Sequence, residues 1–352
     1  MKLVYSDDHR EHAGAKEMRY DQMIPMSESP ERMDIIMEAL AKAGFKDLVP
    51  PQAHGLEVAH QIHDPAFISF LQRCYPLWEQ EFGPGGFATA YTFGMRSMGQ
   101  SPNASVHSML SCYTFDVCVP FVKGTWTAIN SAKDVALTGA GLIQSGEQAV
   151  FSLCRPPGHH ASQDLAGGYC YMNNAAIAAQ AHLNAGSKRV AILDIDYHHG
   201  NGTQTIFYQR SDVFFASLHC RPEDEYPFLL GYATEVGEGD GKGYNLNLPM
   251  PRGTDYFVWE QALQTALQRI EAYNPDVLVV SLGVDTFADD PVGGFMLRSL
   301  DFTDIGNKIR TLNRPTQFVM EGGYSMSELG TNVANIICGY STKVLEVLPE
   351  RG

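Results

Sequence analysis

The sequence predicts one α/β domain with a mostly parallel central sheet and helices on both faces of that sheet. Short apolar runs alternate with helical segments along the 352 residues, and this alternation is typical of parallel strands that are buried on both sides. Polar clusters directly follow several of the runs, as they do where a parallel sheet carries a binding site at its carboxyl edge. Neither an internal repeat nor a low-complexity linker divides the chain, so we expect a single domain over residues 1–352.

The predicted elements begin with a strand at residues 2–5 and a helix at residues 30–43. Ser29 is suited to cap this helix, Pro30 fits its first turn, and Gly44 would end it. The pattern predicts further strands at 149–154, 190–195, 213–218, 276–282 and 317–320. It predicts further helices at 174–184, 203–209 and 255–272, and after Asp301 and Met326.

Residues 80–123 do not follow this alternation. They are rich in Gly, Pro, Ser, Met and aromatic residues and have weak periodicity. A long irregular stretch inside a compact domain is often a functional loop. We therefore expect a loop insertion here, which could be a lid, a subunit contact or an ordinary surface excursion.

The composition is that of a folded protein, with 44% apolar and 18% charged residues. Lys and Arg number 25 against 40 Asp and Glu, which gives a net charge of −15. Such a charge repels nucleic acid and attracts cationic ligands, although solubility explains it equally well. The 7 cysteines are scattered and form no C-x-x-C pair, as is typical of a reduced protein. Without a signal-peptide core or an apolar run of about 18 residues, we expect a soluble, cytoplasmic protein with no membrane partner.

Four polar clusters follow predicted strands directly. Gly158, His159 and His160 come after the strand at 149–154, and Asp194, Asp196 and His198 end the strand at 190–195. Asp285 follows the strand at 276–282, and Glu321-Gly-Gly-Tyr324 follows the strand at 317–320. Because the carboxyl ends of parallel strands meet at one edge of a sheet, we expect the four clusters to share one crevice.

A metal ion is the expected centre of this crevice. Asp196 and His198 are two residues apart in an extended segment, so both side chains project to the same side. Asp285 can supply a third ligand, and three ligands leave a position open for water, as in catalytic sites. This ligand set fits Zn²⁺, with Fe²⁺, Mn²⁺ and Co²⁺ as alternatives.

Several motifs resemble those of the histone deacetylase superfamily. They are RPPGHHA (155–161), GYCYMNNAA (168–176), LDIDYHHGNGTQ (193–204), SLGVD (281–285) and EGGY (321–324). Within the superfamily the chain is most similar to the bacterial acetylpolyamine amidohydrolases, which share the arginase-deacetylase fold. The resemblance is strong from Arg155 to Tyr324 and looser in the N-terminal part. It implies a single deacetylase domain.

The resemblance also implies roles for the site residues. Asp196, His198 and Asp285 would bind Zn²⁺, and His160 would be the general base and then the general acid. His159 would be its electrostatic partner, and Tyr324 would donate a hydrogen bond to the oxyanion. Asp194 would pair with His159. Asn201 stands at the partner position of His160, where many family members carry Asp, and a neutral partner leaves His160 less cationic.

Family members also bind structural K⁺, and the resemblance implies two such sites. The residues at the matching positions of the first site are Asp194, Asp196, His198, Ser217 and Leu218. Those of the second site are Phe207, Val213 and Tyr244, through backbone groups.

Four residues are the predicted substrate contacts. Tyr169 and Tyr226 match aromatic positions that line the acyl-lysine tunnel, and the alternative is that they are core packing residues. Glu17 and Asp116 are candidate carboxylates for cations at the mouth, and the alternative is that they are solvated surface acids. The stretch at 80–123 resembles a loop that narrows the tunnel of a neighbouring subunit, which implies a homodimer.

The leading functional hypothesis is deacetylation of small cationic polyamines such as acetylputrescine, acetylcadaverine and acetylspermidine. A protein lysine deacetylase with the same mechanism is the alternative. A binuclear Mn²⁺ ureohydrolase of the same fold would leave His160 and Tyr324 without a role. A catalytically silent binding module is disfavoured because every catalytic residue type is present.

Overall fold

An eight-stranded parallel sheet forms the centre of the computed structural model, which describes residues 1–19, 21–94 and 105–341. The strands found in these residues are β1 (Lys2–Val4), β2 (Lys16–Arg19), β3 (Gln22–Pro25), β4 (Leu48–Val49), β5 (Ala149–Ser152), β6 (Val190–Asp194), β7 (Val213–Cys220), β8 (Asn245–Met250), β9 (Val277–Leu282) and β10 (Thr316–Met320). The sheet order is β4-β1-β5-β10-β9-β6-β7-β8, and β2 and β3 form a separate antiparallel hairpin. The predicted fold class is confirmed.

The same residues contain ten α-helices. They are α1 (Glu31–Lys42), α2 (Ala59–Ile62), α3 (Pro65–Phe82), α4 (Val106–Tyr113), α5 (Thr125–Gln144), α6 (Asn174–Asn184), α7 (Asn201–Phe207), α8 (Tyr256–Tyr273), α9 (Ser299–Arg310) and α10 (Leu329–Ser341). The helices predicted at 30–43, 174–184 and 255–272 are confirmed to within one residue. None of the helices in the described ranges is both long and apolar enough to cross a membrane.

Helix α1 begins differently from the prediction. Pro30 occupies the N-cap position, and no side chain caps the helix. Ser29 instead accepts a hydrogen bond from the Arg32 backbone N–H through its own carbonyl oxygen (3.2 Å). Gly44 ends the helix as predicted, with a φ of 83° that suits glycine.

The region expected to be a long irregular loop contains ordered structure. Helix α4 lies within it and starts at a capping box formed by Ser105 and Ser108. Its buried residues Val106, Met109 and Leu110 have helical spacing, and an isolated bridge pairs Ala88 with Phe121. The part of the predicted loop at 95–104 lies outside the described residues.

Two layers of helices cover the sheet. Alternate strand residues point to opposite faces, so Val150, Ile192 and Val279 pack with helices α3, α5 and α6. Their neighbours on the same strands, including Phe151 and Leu193, pack with α1, α8, α9 and α10 on the other face. This double coverage explains why β6, β9 and β10 are buried at every position and largely apolar.

Four adjacent strands place the predicted clusters together. Strands β5, β10, β9 and β6 are neighbours in the middle of the sheet. Each is followed at its carboxyl end by one of the four polar clusters. The crevice therefore lies at the carboxyl edge of the sheet, between both helix layers.

Candidate active site

Three buried side chains meet beyond strands β6 and β9. Ligand atoms of Asp196, His198 and Asp285 lie within 4.8 Å of one another. His198 Nδ1 is 3.0 Å from Asp285 Oδ2 and 3.2 Å from Asp196 Oδ1. Backbone N–H groups of Gly322 and Tyr197 fix the carboxylates by donating to Asp196 Oδ2 (2.9 Å) and Asp285 Oδ1 (2.8 Å). The structure thus brings together the three predicted metal ligands.

The charges of this cluster fit a divalent cation. Burial raises the pKa of Asp285 to about 7, and the nearby Asp196 carboxylate adds to the effect. Burial also opposes ionisation of Asp196, but His159 and His198 hold its pKa below the usual range. Two carboxylates and an imidazole at one buried point are costly without a cation. Their ligand types suit Zn²⁺.

The tandem histidines have different partners and different charges. His159 Nδ1 lies 3.0 Å from Asp194 Oδ2, and His160 Nδ1 lies 2.7 Å from Asn201 Oδ1. Burial alone would lower the pKa of His159, but Asp196 and Asp194 raise it to about 10. Burial and the charges of His159 and His198 lower the pKa of His160. His160 is therefore neutral at pH 7. It donates its Nδ1–H to Asn201, which leaves Nε2 free to accept a proton.

Tyr324 is held by two residues that sequence reasoning missed. Asp290 Oδ2 accepts a hydrogen bond from the Tyr324 backbone N–H (2.6 Å). Arg32 donates to the carbonyl oxygens of Glu321 (2.6 Å) and Gly323 (2.7 Å), and its guanidinium lies 4.8 Å from the centre of the Tyr324 ring. Burial raises the pKa of the Tyr324 hydroxyl, which therefore stays protonated and can donate.

Glu321 links the loop of Tyr324 to the turn of His159 and His160. Its Oε2 accepts hydrogen bonds from the backbone N–H groups of Gly158 (2.7 Å) and His159 (3.2 Å). Burial raises the pKa of this carboxyl to about 7. The interaction fixes the turn after β5 against the loop after β10.

A cavity of about 150 Å³ opens above the ligand cluster. It is lined by Cys118, Pro157, His159, His160, Gly168, Tyr169, Asp196, His198, Glu225, Tyr226, Val292, Gly322 and Tyr324. The Tyr226 ring lies 5.0 Å from that of His160, and the Tyr169 ring lies 5.7 Å from that of Tyr324. Gly168 separates the two aromatic walls, and a Cβ there would lie 2.4 Å from the His160 ring. The walls therefore depend on glycine at this position.

The two predicted mouth carboxylates lie behind the aromatic walls. Glu17, only 3% exposed, accepts a hydrogen bond from the Tyr169 hydroxyl. Asp116 accepts one from the Tyr226 hydroxyl and two more from the backbone N–H groups of Gly168 and Cys118 (both 2.8 Å). Neither carboxylate lines the cavity. Contact of either with a substrate cation stays a prediction.

Besides Asp196, the acid that lines the cavity in the described part of the chain is Glu225. This residue is not singled out in the sequence analysis. The signal that could have found Glu225 is its position directly before Tyr226, a predicted wall residue.

The predicted K⁺ positions fall at the ends of β6 and β7. Asp194 and Ser217 are paired in the parallel register of these strands, and Leu218 follows Ser217. Ser217 Oγ lies 2.8 Å from His219 Nδ1. At the second position, Val213 begins β7. The carbonyl oxygens of Phe207 and Tyr244 each accept a backbone hydrogen bond, both 2.9 Å long.

Comparisons with known proteins agree with this geometry. Residues 26–340 match the histone deacetylase domain family. Acetylpolyamine amidohydrolase 2 of Pseudomonas aeruginosa is 46% identical over 340 residues, which cover 97% of this chain and 98% of that protein. The acetylpolyamine amidohydrolase of Mycoplana ramosa is 45% identical over 339 residues, which cover 96% and 99%. The crystal structure of an acetylpolyamine aminohydrolase from Burkholderia pseudomallei is 36% identical and matches with a TM-score of 0.91 over 97% of this chain and 98% of that chain.

Proposed function

The chain belongs to the histone deacetylase family, and we propose that it is a zinc-dependent hydrolase that removes the acetyl group from N-acetylated polyamines. The observation that carries the proposal is similarity along nearly the whole chain to proteins named acetylpolyamine amidohydrolases. The aromatic-walled cavity above the buried ligand cluster supports it, because such a slot suits a methylene chain. The net charge of −15 favours a cationic substrate.

Asp196, His198 and Asp285 would hold the metal ion, which we propose is Zn²⁺. When bound, the ion supplies a Lewis acid that polarises the acetamide carbonyl and lowers the pKa of the attacking water. Metal analysis of the purified protein tests its identity. A protein that binds and works best with Fe²⁺, Mn²⁺ or Co²⁺ would change the assignment of the metal but not of its ligands.

The side chains of the site divide the proton transfers between them. His160 accepts the proton of water at Nε2, since its Nδ1–H is held by Asn201 (2.7 Å). It then gives that proton to the departing amine. His159 stays cationic beside Asp194 and favours the developing negative charge. Tyr324 donates a hydrogen bond from its hydroxyl group to the carbonyl oxygen as that oxygen becomes negative.

We further propose that K⁺ binds near Asp194 and Ser217, and that the enzyme is a cytoplasmic homodimer. The paired register of Asp194 and Ser217 supports the first proposal. The 7 cysteines are scattered along the sequence without a C-x-x-C pair, which is consistent with a reducing compartment. To test K⁺ binding, activity and melting temperature are measured in a K⁺ buffer and compared with those in a buffer that contains a large organic cation instead. Light scattering tests the dimer.

A substrate panel tests the main proposal. Acetylputrescine, acetylcadaverine and acetylspermidine are compared with an acetyl-lysine peptide and a folded acetylated protein. We expect higher kcat/KM for the small polyamines. Faster deacetylation of the folded protein would favour a protein lysine deacetylase instead, and release of urea from a guanidino substrate would favour a ureohydrolase.

A further inference from the structure

Glu225 has no part in the mechanism above. Among the described residues that line the cavity, the carboxylates are Asp196, which is assigned to the metal, and Glu225. Glu17 and Asp116 lie outside the lining and already accept hydrogen bonds from its tyrosines. Glu225 is therefore the lining acid, apart from the metal ligand, that a bound substrate would meet.

The wall of the cavity holds the Glu225 carboxylate in place. Its side chain is 17% exposed. Oε2 accepts a hydrogen bond from the Tyr197 hydroxyl (3.2 Å), and Oε1 accepts one from the Tyr226 backbone N–H (3.2 Å). Tyr197 lies between two of the metal ligands, and Tyr226 packs against His160. The carboxylate is thus fixed to the same wall that confines the acyl chain.

The third partner of Glu225 is a removable cation. Arg252 Nη1 lies 2.8 Å from Glu225 Oε2, and the Arg252 side chain is 59% exposed. Ion pairs with so exposed a member contribute little to stability, because water solvates the released charge well. Arg252 can therefore leave the carboxylate at small cost when another cation arrives.

We propose that Glu225 is a specificity residue that accepts an ammonium group of the substrate in exchange for the Arg252 guanidinium. The inference rests on the proposed polyamine activity and names the residue that recognises the substrate's charge. One cation replaces another, so the partly buried carboxylate is never left without a counter-charge. A neutral amide cannot make this exchange and must bind with the Arg252–Glu225 pair intact.

The test compares a cationic and a neutral amide of matched length. The substrates are acetylputrescine and N-pentylacetamide, and the measured quantity is the ratio of their kcat/KM values. We expect Glu225→Gln to lower this ratio about three- to tenfold at low salt, because a partly exposed pair of charges is lost. Arg252→Gln should raise it about two- to fivefold by removing the competing cation. In the double variant, the Arg252 substitution should have no further effect on the ratio.

Asp224→Asn is the matched control. Asp224 precedes Glu225, carries the same charge, pairs with Arg221 and is 25% exposed. It meets Arg252 only through a long hydrogen bond from the Arg252 backbone N–H (3.5 Å), not through the guanidinium, and it does not line the cavity. It should leave the ratio unchanged. Equal losses in Asp224→Asn and Glu225→Gln would overturn the proposal in favour of a general effect of the negative field.

Two other outcomes would also overturn it. If Glu225→Gln reduces kcat for both amides alike and lowers metal content, Glu225 acts through its hydrogen bond with Tyr197 by positioning the metal ligands on either side of that tyrosine. If Arg252→Gln, an exposed change that should fold, leaves the ratio unchanged, Arg252 does not compete with the substrate. Failure of the proposed function gives a different result, since the unaltered enzyme would then hydrolyse none of the acetylated polyamines.

Discussion

Replacing Asn201 by Asp should move the pH dependence of catalysis to higher pH. In the structure His160 Nδ1 donates to Asn201 Oδ1 across 2.7 Å, and the buried His160 has a lowered pKa. Proton abstraction needs a neutral base, so kcat/KM decreases at pH values below the pKa of His160 in the free enzyme. A low pKa therefore keeps the unaltered enzyme active into the acidic range.

The size of the expected change follows from this contact. A carboxylate in place of the amide would stabilise the His160 imidazolium, and opposite charges at such range raise an imidazole pKa by about 1 to 3 pH units. One pH unit corresponds to about 1.4 kcal/mol. Two charges about 4 Å apart interact by about 4 kcal/mol at an effective dielectric constant of about 20. The two estimates agree, so the acid limb of the profile should shift upward by about 1 to 3 pH units.

The assay is the pH profile of kcat/KM for a neutral acetamide, which avoids titration of the substrate. Thr205→Asp is the control, because it adds the same charge to α7 at a partly exposed position that does not touch His160. Metal content and melting temperature show whether each variant is folded. An acid limb that shifts by less than about half a pH unit, or that moves downward, would refute the assignment of His160 as the base held by Asn201.

Four further substitutions test the site. Asp285→Ala should lose most bound metal and with it the activity, because two ligands hold a hydrolytic ion poorly; elemental analysis measures this, and full metal content with full turnover would contradict the assignment. Tyr324→Phe should fold and bind metal normally but lose about 100- to 1000-fold in kcat, as expected for an oxyanion donor, and a loss of less than about threefold would make Tyr324 a packing residue. Glu17→Gln and Asp116→Asn should each reduce the preference for charged over neutral amides at low salt, and a preference that is insensitive to both changes and to ionic strength would leave these acids with a structural role.

The sequence predicts the parts of the fold that depend on local pattern. Strands β5, β6 and β9 are continuous apolar runs that end in polar clusters, so both their position and their role could be inferred. Helix α5 could not, because it is buried on nearly every side and lacks an amphipathic pattern. It also contains Gly139, where a Cβ would lie 2.1 Å from Ser152 Oγ, so a residue that weakens helices is required by close packing on β5.

In the site, too, some residues could be predicted from the sequence and others could not. The ligands and the tandem histidines could be predicted because each lies just after a recognisable strand. Arg32 and Asp290 could not, because their contacts with the Tyr324 loop join distant parts of the chain. Charge makes Glu17 and Asp116 candidates for cation binding, but charge does not reveal that each accepts a hydrogen bond from a neighbouring tyrosine hydroxyl.

The anchoring of the Tyr324 loop by α1 has a consequence for how the enzyme is made. Arg32 and Glu28 form a buried ion pair, Glu28 also binds Arg155, and Arg32 reaches the carbonyl oxygen of Glu321 across 289 positions of sequence. During synthesis Arg32 leaves the ribosome before Glu321, so this buried arginine gains its carbonyl partner only after the 289 positions between them have emerged. Contacts between residues so far apart in the sequence form late in folding. A fragment that begins at Ala149 would therefore contain every motif from RPPGHHA to EGGY but not the arginine that holds the Tyr324 loop, and we expect it to lack deacetylase activity.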